Sequence, residues 1–314
     1  MPVSTFDVGF VHAFRDERNR RRSRQGCYPK GNLWCFGVEQ GWIALLEITM
    51  RMRFLPVLII GFAPSACDAA PADRAEPVPR TGSAATPFAE TVQPVTLQAD
   101  DGVKVFGNYY PAQDAKALIL LFHQANSNKS EYATIAPRLV DAGYSALAID
   151  QRSGGDMFGG RNRTVAELGQ SAGYVDSKRD LAAALAWAED KQLPVILWGS
   201  SYSASLLFLV AAESDAKVAG LMAFSPGEYF GGEDIVGRAA AKVTVPVFVT
   251  SAENSEEIAA ARAIFDAVAS PRKTQFVPTF GGAHGSSTLI SARNARGAEE
   301  NWRAVLAFLE STTR

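Results

Sequence analysis

Ser201 stands in Gly199-Ser200-Ser201-Tyr202-Ser203, directly after the apolar run Pro194–Trp198 and before the apolar stretch Ala204–Ala212. A serine between small residues at a strand-to-helix junction has the pattern of a nucleophile elbow, a turn so tight that bulky flanks would collide. Gly199 and Ser203 are small, with Ser203 where a second glycine is usual. Ser200 lacks paired small neighbours and Ser203 would lie a turn into the helix, so the register favours Ser201. Taken alone, such a pentapeptide is more often an ordinary strand-to-helix turn with N-capping serines, and the context reverses that preference. A serine hydroxyl needs an imidazole to take its proton, and after Ser201 the chain holds one histidine, His284, in Gly281–Ser286. The chemistry open to this pair is acyl transfer.

An imidazole acting as base is held by a third group, normally a carboxylate. The loop after the apolar run Pro246–Thr250 contains Glu253 and Asn254, and Asn254 occupies the slot where an aspartate is usual. Asparagine can fix a tautomer but supplies no charge. The candidates are therefore Glu253 and Asn254, then Glu228 in Ser225–Tyr229 after the preceding apolar run. Glu256 and Glu257 are assigned to the macrodipole of a helix that starts there.

A developing oxyanion needs two backbone N–H groups. One is expected from Tyr202, after the nucleophile, and one from Gln124 or Ala125 in the loop after Ala117–Phe122. His123 in that loop is expected to shape it, and Asp150 and Arg152 to brace loops. Met157, Phe158 and Arg161, in the glycine-rich stretch 154–164, are candidates for the substrate entrance.

These residues need a scaffold that brings several loops together. From Val95 onward, short apolar or β-branched runs alternate with helical stretches. Val95–Gln98 and Val103–Tyr110, joined by Asp100-Asp101-Gly102, form a hairpin signal. Six later runs follow, Ala117–Phe122, Ser145–Ile149, Pro194–Trp198, Val218–Phe224, Pro246–Thr250 and Thr274–Phe280. Helices are expected over Tyr132–Ala142, Ser177–Lys191, Ser203–Glu213, Glu256–Ala269 and Ala298–Glu310. Runs without strict alternation belong to strands buried on both faces, so the expected architecture is α/β, a mostly parallel eight-stranded sheet flanked by helices. The stretch between Phe224 and Pro246 is too short for a cap domain.

The 314 residues carry 47% hydrophobic and 20% charged side chains and a net charge of −2, which favours neither nucleic acid nor a strongly charged ligand. Cys27, Cys35 and Cys67 all precede the hydrolytic motifs, and His123 and His284 alone make a poor metal set, so no metal or cofactor is expected. Upstream, Arg51 and Arg53 precede an apolar run, Phe54–Ala63, about half the roughly 20 residues that cross a bilayer. Small residues then lead to Cys67. Residues 50–67 thus read as an export signal resembling that of bacterial lipoproteins, with Cys67 lipidated, although Pro64 stands where an aliphatic residue is typical. Translation is then expected to begin at Met50 or Met52, with 1–49 an upstream segment, 68–93 an Ala/Pro-rich tether and 94–314 the functional domain. The expected location is exported, periplasmic or membrane-anchored; oligomeric state is not legible.

Taken together, Leu121–Gln124, Ala148–Arg152, Trp198–Ser203 and Gly282–Gly285 resemble the dienelactone-hydrolase-like branch of the α/β-hydrolase superfamily over residues 95–314. The resemblance implies an α/β-hydrolase fold and a capless esterase or lactonase acting on a small carboxylic ester. Dienelactone hydrolases use cysteine where this chain has Ser201. The rival expectation, from the missing aspartate and from Ser203, is a binding lipoprotein that keeps the fold with little or no turnover.

Overall fold

The computed structural model describes residues 92–213 and 218–313. The expected upstream segment, export signal, Cys67 and nearly all of the tether lie outside the described residues. Eight strands form one sheet: β1 (Gln93–Gln98), β2 (Lys104–Tyr110), β3 (Leu118–Phe122), β4 (Ser145–Ile149), β5 (Val195–Ser200), β6 (Val218–Phe224), β7 (Val247–Thr250) and β8 (Lys273–Phe276). Their spatial order is β1-β2-β4-β3-β5-β6-β7-β8. The hairpin β1–β2 and the pair β2–β4 are antiparallel, and every later pairing is parallel. Strand order reverses at β3, whose neighbours are β4 and β5, so the loops after β3 and β5 leave side by side. Such a switch point is where open α/β sheets bind ligands.

Among the described residues, seven helices flank the sheet: α1 (Ile135–Asp141), α2 (Arg163–Leu168), α3 (Lys178–Glu189), α4 (Tyr202–Glu213), α5 (Ile235–Ala240), α6 (Ser255–Ala267) and α7 (Ala298–Thr312). The period of two along each strand divides the core. Leu118, Leu120 and Phe122 of β3 pack with α3–α6, whereas Ile119 and Leu121 pack with α1 and α7. Every residue of β3, β4 and β5 is buried, which accounts for their unbroken apolar sequences. Helix α4 is buried along Tyr202–Val210 and so carries no polar stripe. Its serines instead serve neighbouring loops: Ser205 Oγ donates to Gly227 O (2.7 Å) and accepts from Gly227 N (3.0 Å).

Two boundaries depart from expectation by more than two residues, and two short helices were not expected. The helix expected from Tyr132 starts at Ile135, because Pro137 has no N–H to give and is tolerated only in a first turn. Before it, Lys129–Tyr132 forms a separate 3-10 turn, capped by the Asn128 side chain accepting from Ser130 N. The last strand stops at Phe276 rather than Phe280, two residues ahead of Pro278, which cannot donate to a ladder. Helices α2 and α5, six residues each, are too short to show a period in sequence.

One ion-pair cluster ties the hairpin to the sheet's carboxyl end. Arg152 pairs with Asp101 of the β1–β2 turn (2.6 Å) and with Asp180 of α3 (2.8 Å), and its backbone N–H also donates to Asp180 Oδ2 (2.7 Å). The hydrogen bond from Arg152 lowers the Asp101 carboxyl to about 2, whereas burial pushes Asp180 upward against the same guanidinium. Asp150 braces separately, accepting from Lys129 N (2.9 Å) and Arg163 N (2.9 Å). Because the Asp180 side chain is wholly buried, Arg152→Met strands a charge and is expected to cost about 3–5 kcal/mol of unfolding free energy. Urea titration measures this directly, and a loss under about 1 kcal/mol would show that Asp180 is content without its partner.

Candidate active site

Strand β5 runs into α4 through Ser201, whose φ is +62°, left-handed backbone that a non-glycine residue adopts only when its surroundings enforce it. A Cβ on Gly199 would lie 2.5 Å from Ala204 N and 2.6 Å from Ala204 Cα, so no side chain fits before the turn. Ser203 does more than stay small. Its Oγ accepts from Ser200 N (2.9 Å) and donates to Phe122 O (2.6 Å), pinning the turn to the end of β3. Of the three serines, Ser200 and Ser203 are fully buried with engaged hydroxyls, whereas Ser201 has the left-handed backbone and residual exposure.

His284 follows β8 in a loop with left-handed glycines on either side, Gly281 (φ +66°) and Gly285 (φ +62°). That loop lies against the nucleophile turn. Ser286 N donates to Ser200 Oγ (2.8 Å), Gly285 N donates to Ser225 Oγ (2.9 Å), and a Cβ on Gly285 would stand 2.2 Å from Ser200 Oγ and 3.7 Å from Ser201 N. Ser201 N in turn donates to Phe224 O (2.8 Å) at the end of β6.

The partner of His284 is Glu257, with Nδ1 3.0 Å from Oε2. This corrects the expected third member. Glu253 accepts from Gly281 N (3.0 Å) and so braces the histidine loop. Asn254 caps α6, its Oδ1 accepting from Glu257 N (2.9 Å) and its Nδ2 donating to Glu257 Oε1 (3.2 Å), which makes it the support of the carboxylate. Glu228 accepts from Val236 N (3.0 Å) and Gly237 N (2.9 Å) at the start of α5. The signal that could have found Glu257 is the spacing Asn254-x-x-Glu257: a capping-box glutamate folds back over its own helix start, here toward the end of β7. Burial raises the Glu257 carboxyl, but His284 and Ser225 outweigh it and hold the group at about 2. It is therefore an anion at neutral pH, able to take an N–H from Nδ1 and leave Nε2 with its lone pair.

On the opposite side, the loop after β3 is shaped by His123, which burial lowers to about 4 and keeps neutral. Its Nδ1 meets Gln124 O (2.8 Å) and its Nε2 accepts from Gln151 N (2.9 Å). Of the two donors expected here, Gln124 N is already given to Glu131 Oε2 (2.9 Å). Ala125 N and Tyr202 N, the first N–H of α4, have no partner among the described residues. The Tyr202 side chain points elsewhere, accepting from Gln151 Nε2 and Ser153 Oγ (2.9 Å each) and stacking on Tyr174.

Loop 155–160 is tied beside this edge. Asn128 Nδ2 donates to the carbonyls of Gly155 (3.0 Å), Met157 (2.7 Å) and Gly160 (3.1 Å), and Met157 N donates to Asn126 O (3.0 Å). Met157 is exposed, Phe158 lies under the Arg293 guanidinium (4.1 Å), and Arg161 extends into solvent. Tyr229, which sequence reasoning passed over, lies beside Ser201 and donates to Ser225 O (3.1 Å). Among the described residues, no group of three or more His, Cys, Asp or Glu is placed to hold a metal ion.

The serine aminopeptidase (S33) family model matches residues 113–230, the stretch that carries the loop after β3 and the nucleophile turn. A search of curated proteins gave no match. Among solved structures, the chain is similar to the Pyrococcus furiosus esterase Pf2001 (16% identity, TM-score 0.55, 70% of this chain and 92% of that one). It is also similar to a cold-adapted esterase from an Arctic intertidal metagenomic library (25%, TM-score 0.50, 72% and 96%) and to a dienelactone hydrolase from Anabaena variabilis (18%, TM-score 0.50, 60% and 87%). By its sheet order and these likenesses, the chain has the α/β-hydrolase fold.

Proposed function

We propose that this protein is a serine hydrolase that cleaves a small carboxylic ester or lactone through an acyl-enzyme on Ser201. The observation that carries the reading is the His284–Glu257 pair (3.0 Å) on a loop laid against the left-handed Ser201 turn. His284 takes the proton as Ser201 Oγ attacks the carbonyl, and Ala125 N and Tyr202 N receive the oxyanion. The tetrahedral intermediate collapses with departure of the alcohol, which takes the proton from His284. Water then attacks the acyl-enzyme, again losing a proton to His284, and the acid leaves from Ser201. Esters and lactones are preferred to peptides because the similar solved structures are esterases and a dienelactone hydrolase. The rival reading as a non-catalytic binding protein drew on the absent aspartate, and Glu257 supplies the missing charge.

A fluorophosphonate probe should label the wild type and not Ser201→Ala, and Ser201→Ala or His284→Ala should lower p-nitrophenyl acetate turnover by at least about a thousandfold. Full turnover in either variant refutes the assignment. Glu257→Gln should lower kcat by about 10²–10⁴, while Glu228→Gln stays within about fivefold of wild type. The reverse ranking would return the role to the other loop.

The pH profile makes a separate check. With Glu257 held at about 2, it keeps its charge wherever the protein is assayed, so this carboxyl should add no second proton to the acid limb of kcat/KM above pH about 4, and a slope of two there counts against the pair.

We further propose that residues 50–67 export the chain and that a lipid on Cys67 tethers it to a membrane, a reading supported by Arg51, Arg53 and the short apolar run before Cys67. In detergent phase partitioning of the native protein, Cys67→Ala should shift it from the detergent to the aqueous phase. No shift would remove the anchor.

A further inference from the structure

Behind the nucleophile turn lies a carboxylate that the mechanism above does not use. Glu131, in the 3-10 turn Lys129–Tyr132, is 1% exposed and has only neutral donors as hydrogen-bond partners: Gln124 N (2.9 Å), Ser127 Oγ (3.1 Å) and Ser200 Oγ (2.6 Å). Burial pushes its carboxyl upward and these donors oppose the shift. A glutamate so placed, with no cation to pair with, is poorly explained by packing, since an apolar or amide side chain would be cheaper to bury.

The three donors come from segments that must keep register for acyl transfer. Gln124 and Ser127 belong to the loop after β3, which also carries Ala125 and its unpartnered N–H. Ser200 precedes the nucleophile. Its hydroxyl donates to Glu131 Oε1 and accepts from Ser286 N (2.8 Å), two residues past His284. Ser286 Oγ in turn accepts from Trp198 Nε1 (2.9 Å) of β5. The turn that carries Glu131 is itself fixed by Asn128 at its start and by Tyr132 Oη donating to Phe122 O (2.6 Å).

We propose that Glu131 is a positioning residue for the Ser201 site: one buried carboxylate joins the oxyanion loop to the nucleophile turn and, through Ser200, to the histidine loop. By taking the Gln124 N–H it also assigns Ala125 N as that loop's donor to the substrate. The proposal rests on the serine-hydrolase reading given above. An isosteric amide cannot replace the carboxylate. Gln124 N and Ser127 Oγ both point at Oε2, and Ser200 Oγ donates to Oε1, so a glutamine must turn its NH₂ toward one set of donors. If the NH₂ faces Ser200, that hydroxyl loses its acceptor while Ser286 N still donates to it. If it faces Gln124, two N–H groups confront each other and the oxyanion loop moves away. Displacements of this kind are felt in the chemical step more than in binding.

The experiment compares wild type, Glu131→Gln, Ser200→Ala and the double variant, each checked for folding by circular dichroism. It measures kcat and KM on p-nitrophenyl acetate and the rate of labelling by a fluorophosphonate. Glu131→Gln is expected to lower kcat and the labelling rate at least about tenfold with KM within about twofold, and Ser200→Ala to lower kcat about three- to tenfold. The double variant should be no slower than Glu131→Gln alone, because both changes break one chain of hydrogen bonds. A Glu131→Gln protein that turns over and labels like wild type overturns the proposal, as does an additive double variant. Should Glu131→Gln fail to fold, a folded Ser200→Ala with wild-type kcat overturns it as well. A wild type that is neither labelled nor active overturns the serine-hydrolase reading itself, an outcome distinct from a labelled wild type with an indifferent Glu131.

Discussion

The left-handed turn at Ser201 is the constraint on which the neighbouring structure depends. A non-glycine residue held there costs on the order of 1–3 kcal/mol, and it persists only because surrounding contacts outweigh that cost. The chain meets the requirement with small residues at each close approach. Gly199 lets α4 follow β5 without a collision, Gly285 lets the histidine loop touch Ser200, and Ser203 fits where there is room for one hydroxyl. Each small residue then leaves polar backbone exposed to its neighbour, and serine hydroxyls satisfy it: Ser203 on Phe122 O, Ser205 on Gly227, Ser225 on Gly285 N. Serine is abundant around this site because it is the smallest side chain that can close such gaps with hydrogen bonds.

The topology turns this local constraint into a site. Because strand order reverses at β3, the loops after β3 and β5 are neighbours while β6 and β7 continue outward in order. Ser201 then has the oxyanion loop on one side, and Ser225 after β6 and Glu257 after β7 on the other. His284, arriving after β8, must reach back across β7 and β6 to meet it. The left-handed glycines at 281 and 285, the brace of Glu253 on Gly281 N and the bond from Gly285 N to Ser225 make that reach possible.

What could be read from sequence was whatever depends on local pattern. Unbroken apolar runs marked β3, β4 and β5 because burial on both faces leaves no polar positions, and Ser201 was marked by the small residues that its turn demands. His284 was singled out as the one histidine after Ser201, and its loop lies against that turn. Glu257 was not read, since an acidic residue in a first helical turn has a sufficient explanation in the macrodipole, and the capping-box spacing that folds it back over the helix start does not say that it meets a histidine 27 positions later. Glu131 was hidden for a related reason: in Lys129–Tyr132 it looks like one charge of a solvated turn, and its burial comes from Ser200, distant in sequence. Pro137 and Pro278, which the apolar pattern passed over, each moved an element boundary that hydrophobic pattern alone had set.

The two glutamates of this site show how environment divides roles between like side chains. Glu257 is part-exposed and faces His284, and this contact, together with the Ser225 hydroxyl, holds its carboxyl low, so its anion persists at every pH of interest. Glu131 is sealed from water, meets no cation, and is shifted the other way. A low-lying carboxylate beside an imidazole suits a partner whose charge must respond to the reaction, whereas a buried one surrounded by fixed N–H and O–H donors suits a group whose work is geometric. Exchanging the two environments would defeat both. A carboxyl shifted upward beside His284 would stabilise the imidazolium less, and a solvated one behind Ser200 would trade its directional hydrogen bonds for water and release three loops that the nucleophile turn needs held together.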